Sequence, residues 1–325
     1  MTEGPPRTIL VYVGLDLMGD GLMKLPFVRA LRAAFPAARI TWLAGHGKTV
    51  YAGALKPLVA GLIDDVIEDA GIGIAAAELL RRPLRGRRFD LLIDTQRRVL
   101  TTLILRRIAH ERFLSPAAGY LLSDIKPDGR DKKPPALIRQ LLDLVELASG
   151  RPADPHRGPA LPADVLAAAE RLLPAGQAYV GLAPGAGGRH KCWPLENFVA
   201  LARRQTEQHR VPVLILGPAE AEWVEPLRQA LPGARFPLQE TTSPDPLLTL
   251  ALASRMTAAV ANDSGGGHLL AAGGVPLVSL FGPTSPAKFA PLARHLTILR
   301  AQEFGGDSMA AIPVDAVAAA LDAIV

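Results

Sequence analysis

The 325-residue chain reads as an α/β protein of two domains, each a parallel sheet wrapped by helices. Three observations carry this. Short apolar runs rich in β-branched residues alternate with amphipathic helical patterns, the signature of βαβ units. The alternation starts at Thr8, fades in a proline-rich stretch after Gly150, and resumes at Ala178. The length is enough for two domains of ordinary size, each able to bury its own core. The boundary is placed at 155/156, giving domains 1–155 and 156–325, with the final helix free to pack back on the first.

In chain order, Thr8 to Gly14 is a strand, LDLMGDG a loop, and the spacing of Leu22, Pro26, Val28, Leu31 and Phe35 a helix that Pro36 ends. Asp20 falls in the loop or the first helical turn, where the helix dipole favours its ionised form. Arg39 to Ala44 is the second parallel strand, and Leu58 to Asp69 supplies a helix end and a short strand. LLRRPLRGRRFD reads as a basic helix and loop, with Arg81 to Arg88 as a solvated surface, before the buried strand Leu91 to Asp94. Thr95, Gln96, Arg97 and Arg98 follow that strand, then a helix carrying Arg106 and Arg107. Their place after a strand makes all of these groups candidates to line a crevice. Lys126 to Pro135 is a polar loop and Ala136 to Ser149 a helix.

The second half repeats the plan. Ala178 to Ala183 is a strand, PGAGGRHKCWP a loop, Glu196 to Glu207 an amphipathic helix and Val211 to Leu216 the next strand, followed by Glu220 in a loop. Leu247 to Ser254 is a short helix with Asp245 near its start, and Pro313 to Val325 a final amphipathic helix. Val260 to Pro286 packs strand, glycine turn, helix and strand into one segment. An apolar run ending at Asn262-Asp263, followed by Ser264 and three glycines, leaves backbone N–H groups pointing beyond the strand's end. That is an anion site, with Asp263, Ser264 and His268 facing a ligand.

Composition narrows the classes. One cysteine, Cys192, excludes a disulfide framework or a cysteine-cluster metal site. The N-terminus lacks a signal pattern and no apolar run approaches the roughly 20 residues of a membrane span, so a cytoplasmic protein is expected. A net charge of +5 favours anionic partners, and 5% aromatic residues argue against stacking on nucleic-acid bases. The loop Pro184 to Pro194 brings three glycines, Arg189, His190 and Lys191 directly after a strand, which suits a phosphate. It is neither a nucleotide-hydrolysing P-loop, since His190 and Cys192 flank Lys191, nor a dinucleotide fingerprint, since His190 replaces the third glycine.

The motifs LMGDGLMKLPFVRALRAAFP, PGAGGRHKCWPLENF, LILGPAE and NDSGGGHLLAAGGVPLVSLFGPTSP, in that order over nearly the whole chain, resemble glycosyltransferase family 9, the heptosyltransferases of the lipopolysaccharide inner core. The resemblance implies a GT-B architecture, two Rossmann-like domains facing across a cleft, with the acceptor on the first and a nucleotide sugar on the second. It implies an inverting, metal-independent transfer from a nucleoside-diphosphate sugar, typically ADP-heptose, with no cofactor. Carried over, Asp20 is the catalytic base, Lys191 contacts the donor diphosphate and Glu220 holds the ribose. Asp263 grips sugar hydroxyls, while Ser264, Gly265, Gly266 and His268 form the diphosphate platform. Arg97 and Arg98 are acceptor candidates on the least matched surface. Gly266-Gly267 before the histidine and Cys192 after the lysine depart from the family pattern without removing a functional side chain. Expected partners are a nucleotide sugar, a lipid-linked oligosaccharide and the anionic inner face of the bacterial inner membrane, with no nucleic acid. The same pattern would serve a silent nucleotide-sugar binder or a sugar-nucleotide epimerase, which product from donor alone would reveal.

Overall fold

In a computed structural model of the protein, residues 4–16, 18–73, 75–129, 133–157, 160–242 and 245–325 are described. The expected loop at 126–135 and the proline-rich stretch after Gly150 lie partly outside them. The chain divides into two compact units, Met1–Pro159 and Ala160–Val325.

The first unit comprises β1 (Thr8–Val13), α1 (Met18–Ala34), β2 (Arg39–Ala44), α2 (Lys56–Val59), β3 (Asp65–Ile67), β4 (Arg88–Asp94), α3 (Val99–Leu105), β5 (Ala109–Leu114) and α4 (Leu137–Ser149). All its strand pairs are parallel, in the order β3-β2-β1-β4-β5. The strands β1, β2 and β4 read as continuous apolar runs because helices cover both faces of such a sheet. Ile9, Leu10, Val11, Leu91, Leu92 and Ile93 are fully buried.

The second unit comprises α5 (Ala163–Leu172), β6 (Tyr179–Ala183), α6 (Leu195–Glu207), β7 (Val211–Leu214), α7 (Val224–Ala230), α8 (Pro246–Ala253), β8 (Ala258–Asn262), α9 (Gly265–Ala272), β9 (Leu277–Phe281), α10 (Pro286–Phe289), β10 (Leu296–Arg300) and α11 (Val314–Asp322). Its sheet is also parallel, in the order β10-β9-β8-β6-β7. Asp245 caps α8, its carboxylate accepting from the Leu247 N–H at 2.7 Å.

In both sheets the winding reverses beside the first strand, between β1 and β4 and between β6 and β8. Crevices at the carboxyl ends of such strand pairs are where open α/β sheets bind ligands.

Several expectations need correction. The basic segment 81–88 is not helical: a 3-10 turn at Ala76–Leu80 precedes irregular chain leading into β4. Pro83 and Gly86 break any helix there. Arg106 and Arg107 lie past the end of α3 and precede β5, so they sit at the amino end of the sheet and do not line the carboxyl-end crevice. The strand β5 itself, AHERFL, hides behind its charges, which an edge strand tolerates. The final helix buries Val317, Ala318 and Leu321 in the core of the second unit, together with Phe198 and Leu201 of α6.

Candidate functional site

Asp20 stands in the first turn of α1, at the carboxyl end of β1. Gly21 fixes that turn: a Cβ there would lie 2.5 Å from Val50 Cγ2 and 2.9 Å from Leu55 Cδ1, and the buried Tyr51 hydroxyl donates to the Gly21 carbonyl at 2.6 Å. The loop ahead of it is pinned by Asp16, a buried carboxylate that pairs with Lys24 and accepts from Trp42 Nε1 at 2.8 Å and Thr49 Oγ1 at 3.2 Å. Asp20 and Lys24 share a cavity of about 380 Å³ with Thr95, Gln96 and Arg97 beyond β4, Pro116 beyond β5, Lys133, and Gln140 and Leu144 of α4. Arg97 donates to the Pro116 carbonyl at 3.4 Å. Arg98 is exposed at the start of α3 and is not among the residues lining this cavity.

Behind the cavity, Asp94 ends β4 fully buried, accepting from Thr102 Oγ1 at 2.7 Å, Ser115 Oγ at 2.8 Å and the Gln96 N–H at 2.8 Å. Burial pushes its carboxyl up to about 6, and the three donors work against that rise. The network holds the Thr95–Arg97 turn at the mouth of the sheet.

In the second unit the loop after β6 and the turn after β8 are joined by one side chain. Asn262, fully buried, donates from Nδ2 to the Pro184 carbonyl at 2.7 Å and accepts from the Trp193 N–H at 3.1 Å. Both ends of the 184–193 loop are thereby tied to the end of β8. Trp193 is anchored again through Nε1 to the Ile312 carbonyl at 2.9 Å and by an edge contact with Phe198. Within this frame Lys191 Nζ lies 3.3 Å from Asp263 Oδ2, and the same oxygen accepts from Thr284 Oγ1 at 2.7 Å. Ser264 caps α9, its hydroxyl accepting from the Gly267 N–H at 3.3 Å. The free N–H groups of Gly265 and Gly266 and the positive end of the helix dipole therefore open beside Lys191 and Asp263.

His268 follows in the next turn of α9. The residue is partly exposed, yet burial of its ring holds its pKa down to about 4, with the Asp263 charge opposing the shift. Near neutral pH it is an uncharged hydrogen-bonding group.

Glu220 sits in a 3-10 turn after β7, where its carboxylate accepts from the Gly217 N–H at 2.9 Å. It also lies against Gly185: a Cβ there would be 2.4 Å from Glu220 Oε1, so a larger residue would push the carboxylate out of its present place beside the loop. The outer side of the loop is braced by the ion pair of Arg189 with Glu222 and by Arg189 stacking 4.6 Å over Trp223.

The structure thus brings together Lys191, Asp263, Ser264, Gly265, Gly266 and His268, sets Glu220 against the same loop, and seats Asp20 and Arg97 in one cavity. Thr95, Gln96 and Arg97 line the cavity as expected, whereas sequence reasoning missed Asn262 as a clamp, Thr284 on Asp263, Lys133 beside Asp20, and the Asp16–Lys24 pair. Asn262 ends a buried strand, and a buried amide needs partners, which was the available signal.

A family model described as Glycosyltransferase family 9 (heptosyltransferase) matches residues 78–309. Lipooligosaccharide heptosyltransferase 2 of Haemophilus influenzae is 28% identical over 315 residues, covering 90% of this chain and 88% of that protein. The Haemophilus ducreyi protein of the same name is 26% identical over 317 residues, with the same coverage of 90% and 88%. Among solved structures, a glycosyl transferase family 9 protein from Veillonella parvula aligns with a TM-score of 0.70 at 20% identity, covering 98% of this chain and 97% of the other. E. coli ADP-heptose LPS heptosyltransferase II aligns with a TM-score of 0.65 at 22% identity, covering 98% of each chain. These structural likenesses speak to the fold, which is of the GT-B class with two Rossmann-like domains.

Proposed function

The chain belongs to glycosyltransferase family 9, and from that premise we propose that this glycosyltransferase moves heptose from ADP-heptose, with inversion, onto an inner-core acceptor of lipopolysaccharide. The observation that carries the reading is the convergence, at the carboxyl ends of β6 and β8, of the Lys191 ammonium, the Asp263 carboxylate and the amino end of α9. A cation and unpaired backbone N–H groups suit a diphosphate, while a carboxylate backed by Thr284 suits sugar hydroxyls.

In this mechanism the first domain holds the acceptor hydroxyl against Asp20. The hydroxyl oxygen attacks the anomeric carbon as its proton passes to the Asp20 carboxylate, and the bond from that carbon to the diphosphate oxygen breaks. A carboxylate is a weak base toward an alcohol, so the proton moves late and much of the barrier is lowered on the leaving-group side. There Lys191 and the Gly265 and Gly266 N–H groups receive the charge that develops on the nucleoside diphosphate, the role a metal plays in other transferases. Neutral His268 contributes a hydrogen bond to the same group. Glu220 takes the ribose hydroxyls and Arg97 an anionic part of the acceptor. No resident metal or cofactor enters the scheme.

Among the described residues no helix is long and apolar enough to cross a membrane. We place the enzyme at the cytoplasmic face of the bacterial inner membrane as a peripheral protein, since a lipid-linked acceptor is found there.

Titrating ADP, UDP, GDP and CMP sugars against thermal melting tests the donor. ADP-heptose is expected to give the largest rise in Tm, by mass action on the folded state. Equal protection by all four bases would overturn the assignment of the donor.

A further inference from the structure

The two most exposed large hydrophobic side chains among the described residues, Leu80 at 87% and Leu121 at 71%, flank one helix at the edge of the first sheet. Both the turn that ends at Leu80 and the turn Ala117–Tyr120 that precedes Leu121 pack against α3. Arg107 donates from Nε to the Arg81 carbonyl at 2.8 Å and Arg106 donates to the Leu122 carbonyl, so a guanidinium stands one residue from each leucine. The outward side of α3 adds Val99 and Leu103, both exposed. Between these features the segment 82–87 and residues 106–110 enclose an open basic cavity of about 760 Å³.

The nearby carboxylates are already engaged. Asp124 pairs with Arg106, Glu111 with Arg88, and Asp65 with Arg39, while Glu78 accepts from the Gly73 and Ala75 N–H groups. Arg82 and Arg85 are exposed and have no ion pair among the described residues, while Arg39, together with the nearby and also exposed Arg87, holds the Asp65 carboxyl below its usual range. Protruding leucines amid exposed arginines that outnumber the carboxylates beside them match an interfacial surface, in which apolar side chains enter the acyl boundary and cations meet anionic headgroups. A nucleic acid would leave the leucines against water and finds no aromatic side chains to stack on here.

We propose that the β5/α3 edge, through Leu80, Leu121, Arg82, Arg85, Arg87 and Arg107, docks the protein on an anionic phospholipid bilayer. The inference rests on the reading of a lipid-linked acceptor and gives it a geometry. The helix α3 starts beside Arg97, which lines the Asp20 cavity, and runs toward the basic end of the sheet. A bilayer lying along this edge therefore reaches the side of the domain on which that cavity opens.

Sedimentation of the full-length protein with sucrose-loaded vesicles tests this, using phosphatidylcholine alone or mixed with phosphatidylglycerol. Binding is expected only with phosphatidylglycerol and should weaken as salt is raised. The variant Arg82→Gln/Arg85→Gln/Arg87→Gln should lose about a hundredfold in partition, each surface cation counting for a factor of about five. Leu80→Ser/Leu121→Ser should also bind less tightly, with an unchanged Tm. Arg151→Gln/Arg157→Gln/Arg171→Gln removes the same net charge from exposed sites elsewhere and should bind like the parent. Equal binding by the edge variant and the parent, equal loss in the control, or tighter binding to duplex DNA that ignores the leucines would each overturn the proposal. Transfer to a delipidated, water-soluble acceptor should be the same in parent and edge variant. Absence of transfer in both would count against the proposed reaction while leaving the vesicle result readable.

Discussion

The two units wind their sheets alike and place their candidate residues at the same topological point, yet they hold them by different means. In the second unit the site is tied together by polar contacts from neighbouring stretches: Asn262 spans the 184–193 loop, and Asp263 joins Lys191 to Thr284. In the first, the turn that carries Asp20 is held from behind, by Gly21 packed against Val50 and Leu55 and by the buried polar contacts of Asp16, and the cavity is walled by segments as distant as Gln96 and Gln140. A cross-linked site suits a ligand of fixed chemistry such as a diphosphate. A cavity walled by separate segments can change its lining without disturbing Asp20. The comparison predicts that damage to the second unit shows as lost affinity or stability and damage to Asp20 as lost turnover.

The largest effect is expected at Asp20. The near-isosteric Asp20→Asn should lower kcat by about a hundred- to ten-thousandfold, the usual contribution of one acid/base group, with the donor KM and Tm near parental. Near-parental turnover would reduce Asp20 to a helix-end residue, since Asp and Asn serve similarly there.

Asn262→Ala probes the clamp. It orphans the buried Trp193 N–H and Pro184 carbonyl, each costing about 1–3 kcal/mol, so the melting temperature and the nucleotide affinity should fall together. Parental stability would show that the loop is held by Trp193 and its packing alone.

Lys191→Ala should weaken nucleoside-diphosphate binding by about 1.5–3 kcal/mol, typical of a charged hydrogen bond, with acceptor binding intact. Calorimetric titration with ADP measures this, and equal affinities would remove Lys191 from the site.

The smallest effects are on pH dependence, where the two units should show opposite signs. Asp94, raised to about 6, keeps its proton in the folded chain between its ordinary value and about 6, so its contribution to stability is lost as pH rises through that window. His268, lowered to about 4, stays neutral when folded while the unfolded chain takes up a proton, so stability is lost as pH falls from about 6.5 toward 4. Relative to the parent, Asp94→Asn should gain in Tm from pH 4 to 7, and His268→Gln should gain on acidification. Parallel pH profiles for parent and variants would contradict these assignments.

What the sequence showed follows the same division. The second unit's groups lie in two short stretches whose glycines, cation and acids declare an anion site, and the elements around them fell close to expectation. The first unit's cavity was only half legible: Thr95, Gln96 and Arg97 could be placed beyond their strand, but Lys133 and Gln140 join them through the packing of α1 on α4 and the order of the sheet. The helices α5 and α7 and the strand β10 passed unnoticed: α5 follows a proline-rich stretch that hid its start, α7 is short, and β10 has no fully buried residue to give it an apolar signature. Arg106 and Arg107 were assigned to the wrong end of the domain because the strand that follows them, edge-placed and charged, was not seen.

Inverting transfer of a sugar from an ADP donor leaves its clearest mark in the anomeric configuration of the product. Purified protein would be incubated with ADP-heptose and a delipidated inner-core acceptor, with the new linkage read by NMR and ADP release followed in parallel. One ADP is expected per linkage formed, with an anomeric configuration opposite to that of the donor. Retention of configuration, or ADP release without a new linkage, would contradict inverting transfer.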